Sequence, residues 1–319
     1  MRLYFWIFII LILSILVYKY IFGQPNKKST FWKNMPVMHF NNNYTIDKTI
    51  INKNYGYIMP EQSNITLFDI DKDLNIVTNF LNGNYIHGYS FTQDYIFQKM
   101  NIKHSIGIIY KIDNIIVGFI QCSPYKILNN TFSYVDLLCV HKNYRNNGIA
   151  KKLIENIIYY SPQKIFIHKK DNHPLPFNHF YKTSHYSCGI SFLKNKYGIK
   201  KTQYKPLIDK INDDIFITSD SIKTYHYNNN YISFSIHKFI LLGTLNIAEI
   251  FYLSPNFIDY NDIISIMDEN KIDFIVTLPN GIFKDKIDLD YYTKSMDLYV
   301  YTFNYVLYPI KDELWFNIP

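Results

Sequence analysis

Between Phe132 and Ile158 the chain changes period once. Residues 132–140 read FSYVDLLCV, a short and nearly continuous apolar run of the kind that forms a central strand. A basic turn, HKNYRNNG, follows. Ile149, Leu153, Ile154, Ile157 and Ile158 then fall on one face at helical spacing, and Ser161-Pro162 ends the pattern. A buried strand that runs straight into an amphipathic helix calls for a layered α/β arrangement. It also places Gly148 at the helix start, in a chain with only 11 glycines. An α-helix opens with N–H groups that lack internal partners, and with the helix dipole they attract an anion. A residue without Cβ lets a pyrophosphate approach that backbone. Lys151 and Lys152 sit in the first turn, where positive charge opposes the dipole unless phosphates lie beside it. The turn from Arg145 to Ala150 is therefore a candidate cradle for the pyrophosphate of a nucleotide-like cofactor. The plain alternative is an Asn-Gly turn before a surface helix. A Walker-type site is disfavoured, because no Gly-Lys-Ser/Thr follows.

The rest of the chain supports the same class. Residues 105–127 hold two apolar runs around Asp113-Asn114, which predicts a hairpin. Beyond Tyr197 a second α/β unit is expected. Its candidate strands are IFITS, YISFSI and DFIVTL, with a helix around YNDIISIMDEN and a last strand over Tyr299 to Tyr308. The 319 residues suffice for two domains, and 48% hydrophobic against 18% charged residues argues against disorder. The three cysteines contain no C-x-x-C pair, so a disulfide framework is not expected and a reducing compartment is. A charge of +7 suits an anionic partner. It is dispersed, without a basic stripe interleaved with aromatics, and nucleic acid is not an expected partner. His173, His179, His185 and Cys188 match no common zinc spacing, and no metal is expected.

Residues 1–23, MRLYFWIFIILILSILVYKYIFG, are almost wholly apolar from Leu3 to Tyr18. That is about the length a membrane span needs. No small-x-small cleavage site follows, so the stretch is expected to stay as a single anchor. Lys19, Lys27, Lys28 and Lys33 follow it and place the body of the protein on the cytosolic side. Sequons at Asn43, Asn64 and Asn129 would suit a luminal location, but an Asn-rich chain holds several by chance.

The segment VDLLCVHKNYR, Val135 to Arg145, resembles the N-myristoyltransferase signature, in which a strand carrying N-F-L-C-x-H-K leads into a CoA loop. Arg145-x-x-Gly148-x-Ala150 resembles the acyl-CoA motif of the wider GNAT superfamily. FWKNMPV (31–37), IVGFIQCSPYKI (116–127) and HPLPFNHFYKTS (173–184) are similar to three further segments of the N-myristoyltransferase family, in the same order. The resemblance implies an α/β (α+β) fold of two GNAT-like lobes behind the transmembrane anchor. An acyl-CoA lobe would cover 24–195 and a peptide-binding lobe 196–319. Myristoyl-CoA would be the co-substrate, with no permanent cofactor, and proteins with an N-terminal glycine the acceptors. A monomer is expected. By the same resemblance Thr30, Phe31 and Trp32 would contact the CoA. The amides of Leu137 and Leu138 would form the oxyanion hole, with Cys139 and Val140 beside the thioester. Asn146, Gly148, Ile149 and Ala150 would hold the phosphates. The terminal carboxylate, here on Pro319, would act as base.

Physical chemistry agrees with that assignment. Aminolysis of a thioester passes through a tetrahedral oxyanion, and one rigid backbone donor is typically worth roughly 3–4 kcal/mol to it. Read without the flanking motifs, Leu137, Leu138 and Cys139 are ordinary strand core. The chain departs from the family near Lys294 to Tyr301, where KSMDLYVY replaces a glycine-rich segment. It also ends early after Tyr308, so Pro319 would lie short of the thioester. Two further readings stay open: an acyl-CoA-binding pseudoenzyme, and a GNAT enzyme with another amine acceptor.

Overall fold

The computed structural model describes residues 32, 35–37, 50–52, 54–85, 89–127, 130–207, 222–240, 244–253, 260–277 and 292–305. The expected anchor, Thr30, Phe31, the strand IFITS and Pro319 lie outside them. Among the described residues no helix is long and apolar enough to cross a membrane.

Among the described residues thirteen strands form one sheet. In chain order they are β1 (Ile65–Leu67), β2 (Tyr89–Ser90), β3 (Ile106–Ile112), β4 (Ile115–Ile127), β5 (Asn130–Val140), β6 (Phe166–Asp171), β7 (Tyr181–Gly189), β8 (Lys205–Pro206), β9 (Ile222–Tyr227), β10 (Asn230–Ile240), β11 (Thr244–Leu253), β12 (Phe274–Thr277) and β13 (Thr293–Phe303). Their spatial order is β1-β3-β4-β5-β6-β13-β7-β12-β11-β10-β9-β8, with β2 added to β10. The sheet thus runs through both halves of the sequence. β13, the last described strand, lies between β6 and β7 and pairs antiparallel with both.

The expected hairpin is β3–β4. Asp113 and Asn114 both adopt positive φ (48° and 64°), the geometry that matches strand twist in a two-residue turn. The run 132–140 lies in β5. Its neighbour β6 runs parallel to it, but the two pair only over Ser133–Val135 and Phe166–His168. Both strands continue past that point, β5 to Val140 and β6 to Asp171, without pairing to each other.

Five helices among the described residues cover the sheet: α1 (Ile70–Asn84), α2 (Gln93–Asn101), α3 (Ile149–Tyr160), α4 (Ile190–Tyr197) and α5 (Tyr260–Glu269). α3 buries Ile149, Leu153, Ile157 and Ile158, the face anticipated from the sequence, and Ser161 caps it. It lies close on β4 because Gly118 has no side chain. A Cβ there would meet Ile149 Cγ2 at 2.9 Å and Leu153 Cδ1 at 3.0 Å. α1 and α2 pack Val77, Phe80, Leu81 and Ile96 against Ile109, Phe119, Leu137 and Cys139. Asn82 binds the two helices together through both backbone groups of Phe91.

In the second half α5 covers 260–269, where a helix was expected. It packs Ile263, Ile264 and Met267 against Ile232, Phe234, Ala248, Ile250 and Ile275. YISFSI and DFIVTL fall in β10 and β12, as read from the sequence. The last strand starts six residues earlier than Tyr299. The early start lets Thr293–Leu298 pair with β7.

Candidate active site

A bulge in β5 is the local feature from which the site is built. Phe119 pairs with Cys139, whereas Gln121 pairs with Asp136, so Ile120 faces two residues, Leu137 and Leu138. Leu137 takes up the extra residue with φ 53°, a left-handed conformation that costs an L-residue about 1–2 kcal/mol. β5 is thus interrupted at the dipeptide whose amides the resemblance assigns to the oxyanion hole. Its amides are not both idle, however. Leu137 N–H donates to Asp136 Oδ1 at 2.8 Å, and Asp136 Oδ2 is 3.1 Å from the ammonium of Lys99. The Leu137 donor can reach a ligand oxygen only if that carboxylate turns away. The Leu138 side chain is 40% exposed although large and apolar, because it faces a cavity.

Downstream of the bulge, His141 Nδ1 accepts the N–H of Asn143 and opens a 3-10 turn over Lys142–Tyr144. Arg145 donates from Nε to the Val140 carbonyl and from Nη2 to the Asn84 carbonyl, tying this turn to the end of α1. Asn146 and Gly148 follow with φ 66° and 76°. Gly148 is the N-cap of α3 and supplies no side-chain cap, and a Cβ on it would meet nothing within 4 Å. The helix start is therefore open to an approaching ligand. Lys151 and Lys152 already have acidic partners, Glu155 at 3.7 Å and Glu61 at 3.0 Å. They do not wait for phosphate to relieve an unpaired charge.

A cavity of about 600 Å³ occupies the gap where β5 and β6 part. Of the residues that the resemblance assigns to the acyl-CoA, Trp32, Leu137, Leu138, Cys139, Val140 and Ala150 line it. Asn146 and Gly148 are exposed outside the lining, and the Ile149 side chain is core, packed beside Leu153. The apolar part of the lining comes from Phe91, Tyr95, Ile154, Ile157, Phe166 and Leu298. Trp32 stacks on His168, which stacks in turn on Tyr301. Burial lowers the His168 imidazole to about 4, and Lys170 acts in the same direction. Burial also pushes the Cys139 thiol up to about 12, which leaves it a poor nucleophile. Cys122, Cys139 and Cys188 are all free and buried.

The far wall was not anticipated. Lys169, His185, His237 and Glu249 line the same cavity from β6, β7, β10 and β11. His237 Nε2 is 2.8 Å from Ser235 Oγ and 3.5 Å from Glu249 Oε2. Burial alone would raise the Glu249 carboxyl. The bond to His237 and the positive charges of Lys169, His185 and His237 outweigh it and hold the group far below the usual carboxylate range. A sequence signal existed in the alternation of Ile232, Phe234, Ala248 and Ile250, which face α5, with Ser233, Ser235, His237 and Glu249 on the reverse face. Among the described residues no group of three or more His, Cys, Asp or Glu side chains is placed to hold a metal ion.

Residues 74–186 match the Acetyltransferase (GNAT) family profile. They include the bulge, the turn and α3. No curated protein sequence matches the chain. Among solved structures, Saccharomyces cerevisiae N-myristoyltransferase with bound myristoyl-CoA superposes with a TM-score of 0.69 at 17% identity, covering 89% of this chain and 94% of that one. A second structure of the yeast enzyme, with myristoyl-CoA and inhibitors, gives 0.68 at 17% identity over 92% and 94%. Residues 74–186 thus carry the GNAT profile, and the chain shares the fold of the yeast N-myristoyltransferase structures.

Proposed function

We propose that the protein is an N-acyltransferase that moves a myristoyl group from myristoyl-CoA to the N-terminal glycine of acceptor proteins. The observation that supports this most directly is the continuity of the cavity. It passes from the bulge at Leu137-Leu138, where a thioester carbonyl would be held, to Ala150 and Lys151 at the start of α3, where a pyrophosphate would sit. Cys139 and Val140 would flank the thioester, and Trp32, with Thr30 and Phe31 beside it in sequence, would close over the CoA. The backbone from Asn146 through Gly148 and Ile149 to Ala150 would meet the phosphates. The apolar lining at Phe91, Ile154 and Ile157 suits an acyl chain, with each buried CH₂ worth about 0.8 kcal/mol. The apolar stretch 3–18 would anchor the protein in a membrane with its catalytic part facing the cytosol.

The full chain in detergent, given myristoyl-CoA and peptides that begin with glycine, should release CoA and form the amide. Failure to bind the thioester would reject the proposal. One observation favours a second reading. The Leu137 amide is already bonded to Asp136, which suits a chain that binds acyl-CoA without turning it over. That reading calls for saturable thioester binding with no CoA release for any amine tested.

A further inference from the structure

We infer that Gln121 is a positioning residue for the transfer. Its side-chain amide receives the Asp136 carboxylate when that group leaves the Leu137 amide, and so frees the donor for the thioester carbonyl. This role rests on the acyltransferase reading above and adds a residue to it.

Two hydrogen-bonding groups are mismatched at the bulge. Leu137 N–H, one of the donors that would face an oxyanion, is held by Asp136 Oδ1 at 2.8 Å. One strand away Gln121 is fully buried, yet neither its Nε2 nor its Oε1 has a hydrogen-bond partner among the described residues. Buried polar side chains are mostly bonded, and one that is not calls for an explanation.

The two groups are neighbours. Gln121 of β4 pairs directly with Asp136 of β5. Residues directly opposite in an antiparallel pair place their side chains on one face of the sheet, with Cβ atoms about 4.5–5.5 Å apart. That face is the one covered by α1 and α2. Phe119, two residues before Gln121, packs there beside Leu137 and Cys139, and Asp136 meets Lys99 of α2. The reach of a glutamine side chain across such a pair allows its amide to donate to the facing carboxylate.

Lys99 sets the pivot. Its ammonium holds Asp136 Oδ2 at 3.1 Å and lies 5.5 Å and 5.8 Å from the centres of the Tyr95 and Tyr134 rings. With one carboxylate oxygen anchored there, the other exchanges Leu137 N–H for Gln121 Nε2 by side-chain rotation, and the ion pair stays intact. Without an acyl ligand the exchange gains nothing, because it pairs the glutamine amide and strands the backbone donor. With a thioester in the cavity, which Asp136 and Leu137 both line, the carbonyl oxygen takes the Leu137 donor and both amides are satisfied. The ligand thus drives the rotation. A carboxylate left in place would occupy the donor and oppose the charge that forms on the carbonyl oxygen.

The test uses the full-length chain and two ligands that differ at one point: myristoyl-CoA, and a thioether analogue with CH₂ in place of the carbonyl. Gln121→Met removes the amide and keeps the bulk. It should weaken myristoyl-CoA binding about fivefold, the order of one hydrogen bond, and leave thioether affinity unchanged. With a glycine-initial peptide kcat should fall about 10²-fold, as for the loss of one oxyanion donor. The thermal midpoint should hold or rise, because an unpaired buried amide gives way to an apolar chain. The double variant Lys99→Met/Asp136→Ala has no carboxylate to receive. Adding Gln121→Met to it should change neither affinity nor kcat, which a merely structural role would not produce. Equal weakening of both ligands, or equal losses in both backgrounds, would overturn the role. So would unaltered thioester affinity and kcat, which would mean that a buried water alone satisfies Gln121. A wild-type chain that binds myristoyl-CoA but acylates no amine would reject the transfer reading, and the comparison of thioester with thioether would still decide the role of Gln121. A chain that binds neither ligand would remove both.

Discussion

Asp136 accepts the N–H of Leu137 at 2.8 Å with one carboxylate oxygen and meets Lys99 at 3.1 Å with the other. Lys99 is 5% exposed and Asp136 19%, so the pair is largely removed from water. Asp136, the β5 residue before Leu137, thus holds the left-handed residue of the bulge, and Lys99 of α2 holds Asp136.

Removing one partner of this pair should therefore cost much more than removing both. Asp136→Ala leaves the Lys99 ammonium buried without its anion and should lower stability by about 3 kcal/mol. The double variant Lys99→Met/Asp136→Ala should recover most of that. Urea unfolding of the three chains decides it. A double variant no more stable than the single one would show that the bulge, and not the charge, sets the cost.

Two glycines, Gly118 beneath α3 and Gly148 at its start, should respond differently to substitution. Gly118→Ala places a methyl within 3.0 Å of Ile149 and Leu153, and overpacking of this kind costs about 1–3 kcal/mol. The helix should shift off the sheet, and acyl-CoA affinity should fall together with stability. Gly148→Ala meets no neighbour and carries only the strain of φ 76°, roughly 1 kcal/mol. Its effect should appear mainly as weaker binding of CoA, read by calorimetry. Unaltered affinity would argue against phosphate contact at that residue.

His168 should make stability depend on pH in acid. The unfolded chain takes up a proton near 6.5, whereas the folded chain accepts it only near 4. Between those values the unfolded state holds more protons, so stability falls as pH drops, at up to about 1.4 kcal/mol per pH unit, and levels off below 4. Thermal midpoints of His168→Phe over the same range should show a shallower slope. A slope equal to wild type would assign the effect elsewhere.

Asn304 is fully buried and makes three hydrogen bonds at one point. Its Oδ1 accepts the N–H of Asn52 at 2.7 Å, and its Nδ2 donates to the carbonyls of Asn52 and Lys164, each at 2.9 Å. Asn304→Ala strands three backbone groups, and about 3 kcal/mol of stability should go with them. Proteolysis at residues 50–52 should speed up in parallel.

The sequence was most legible where one chemical pattern decided the outcome. The change of period at Gly148 gave α3 and its buried face, and Asp113-Asn114 gave a hairpin, because short-range sterics alone fix such turns. The motifs around Leu137 marked the dipeptide at which β5 bulges, but neither the bulge nor the carboxylate on its amide, since Lys99 lies 37 residues from Asp136. α1 and α2 were not read from the sequence, although Asp69 and Thr92 cap their starts. Alternation marked His237 and Glu249 as facing away from α5, but not that they would meet. Their contact depends on the register of β10 against β11, which places Ser235 opposite Glu249, and register is a property of the assembled sheet.

The position of β13 has a consequence for biosynthesis. Residues 293–303 fill the slot between β6 and β7, so neither of those strands has this shared neighbour until residues 293–303 have left the ribosome. Until then two bare strand edges face the crowded cell, which invites pairing with other nascent chains. Ribosome-bound intermediates halted before residue 293 should consequently be a preferred client of chaperones, and a truncation at that point should accumulate as aggregate.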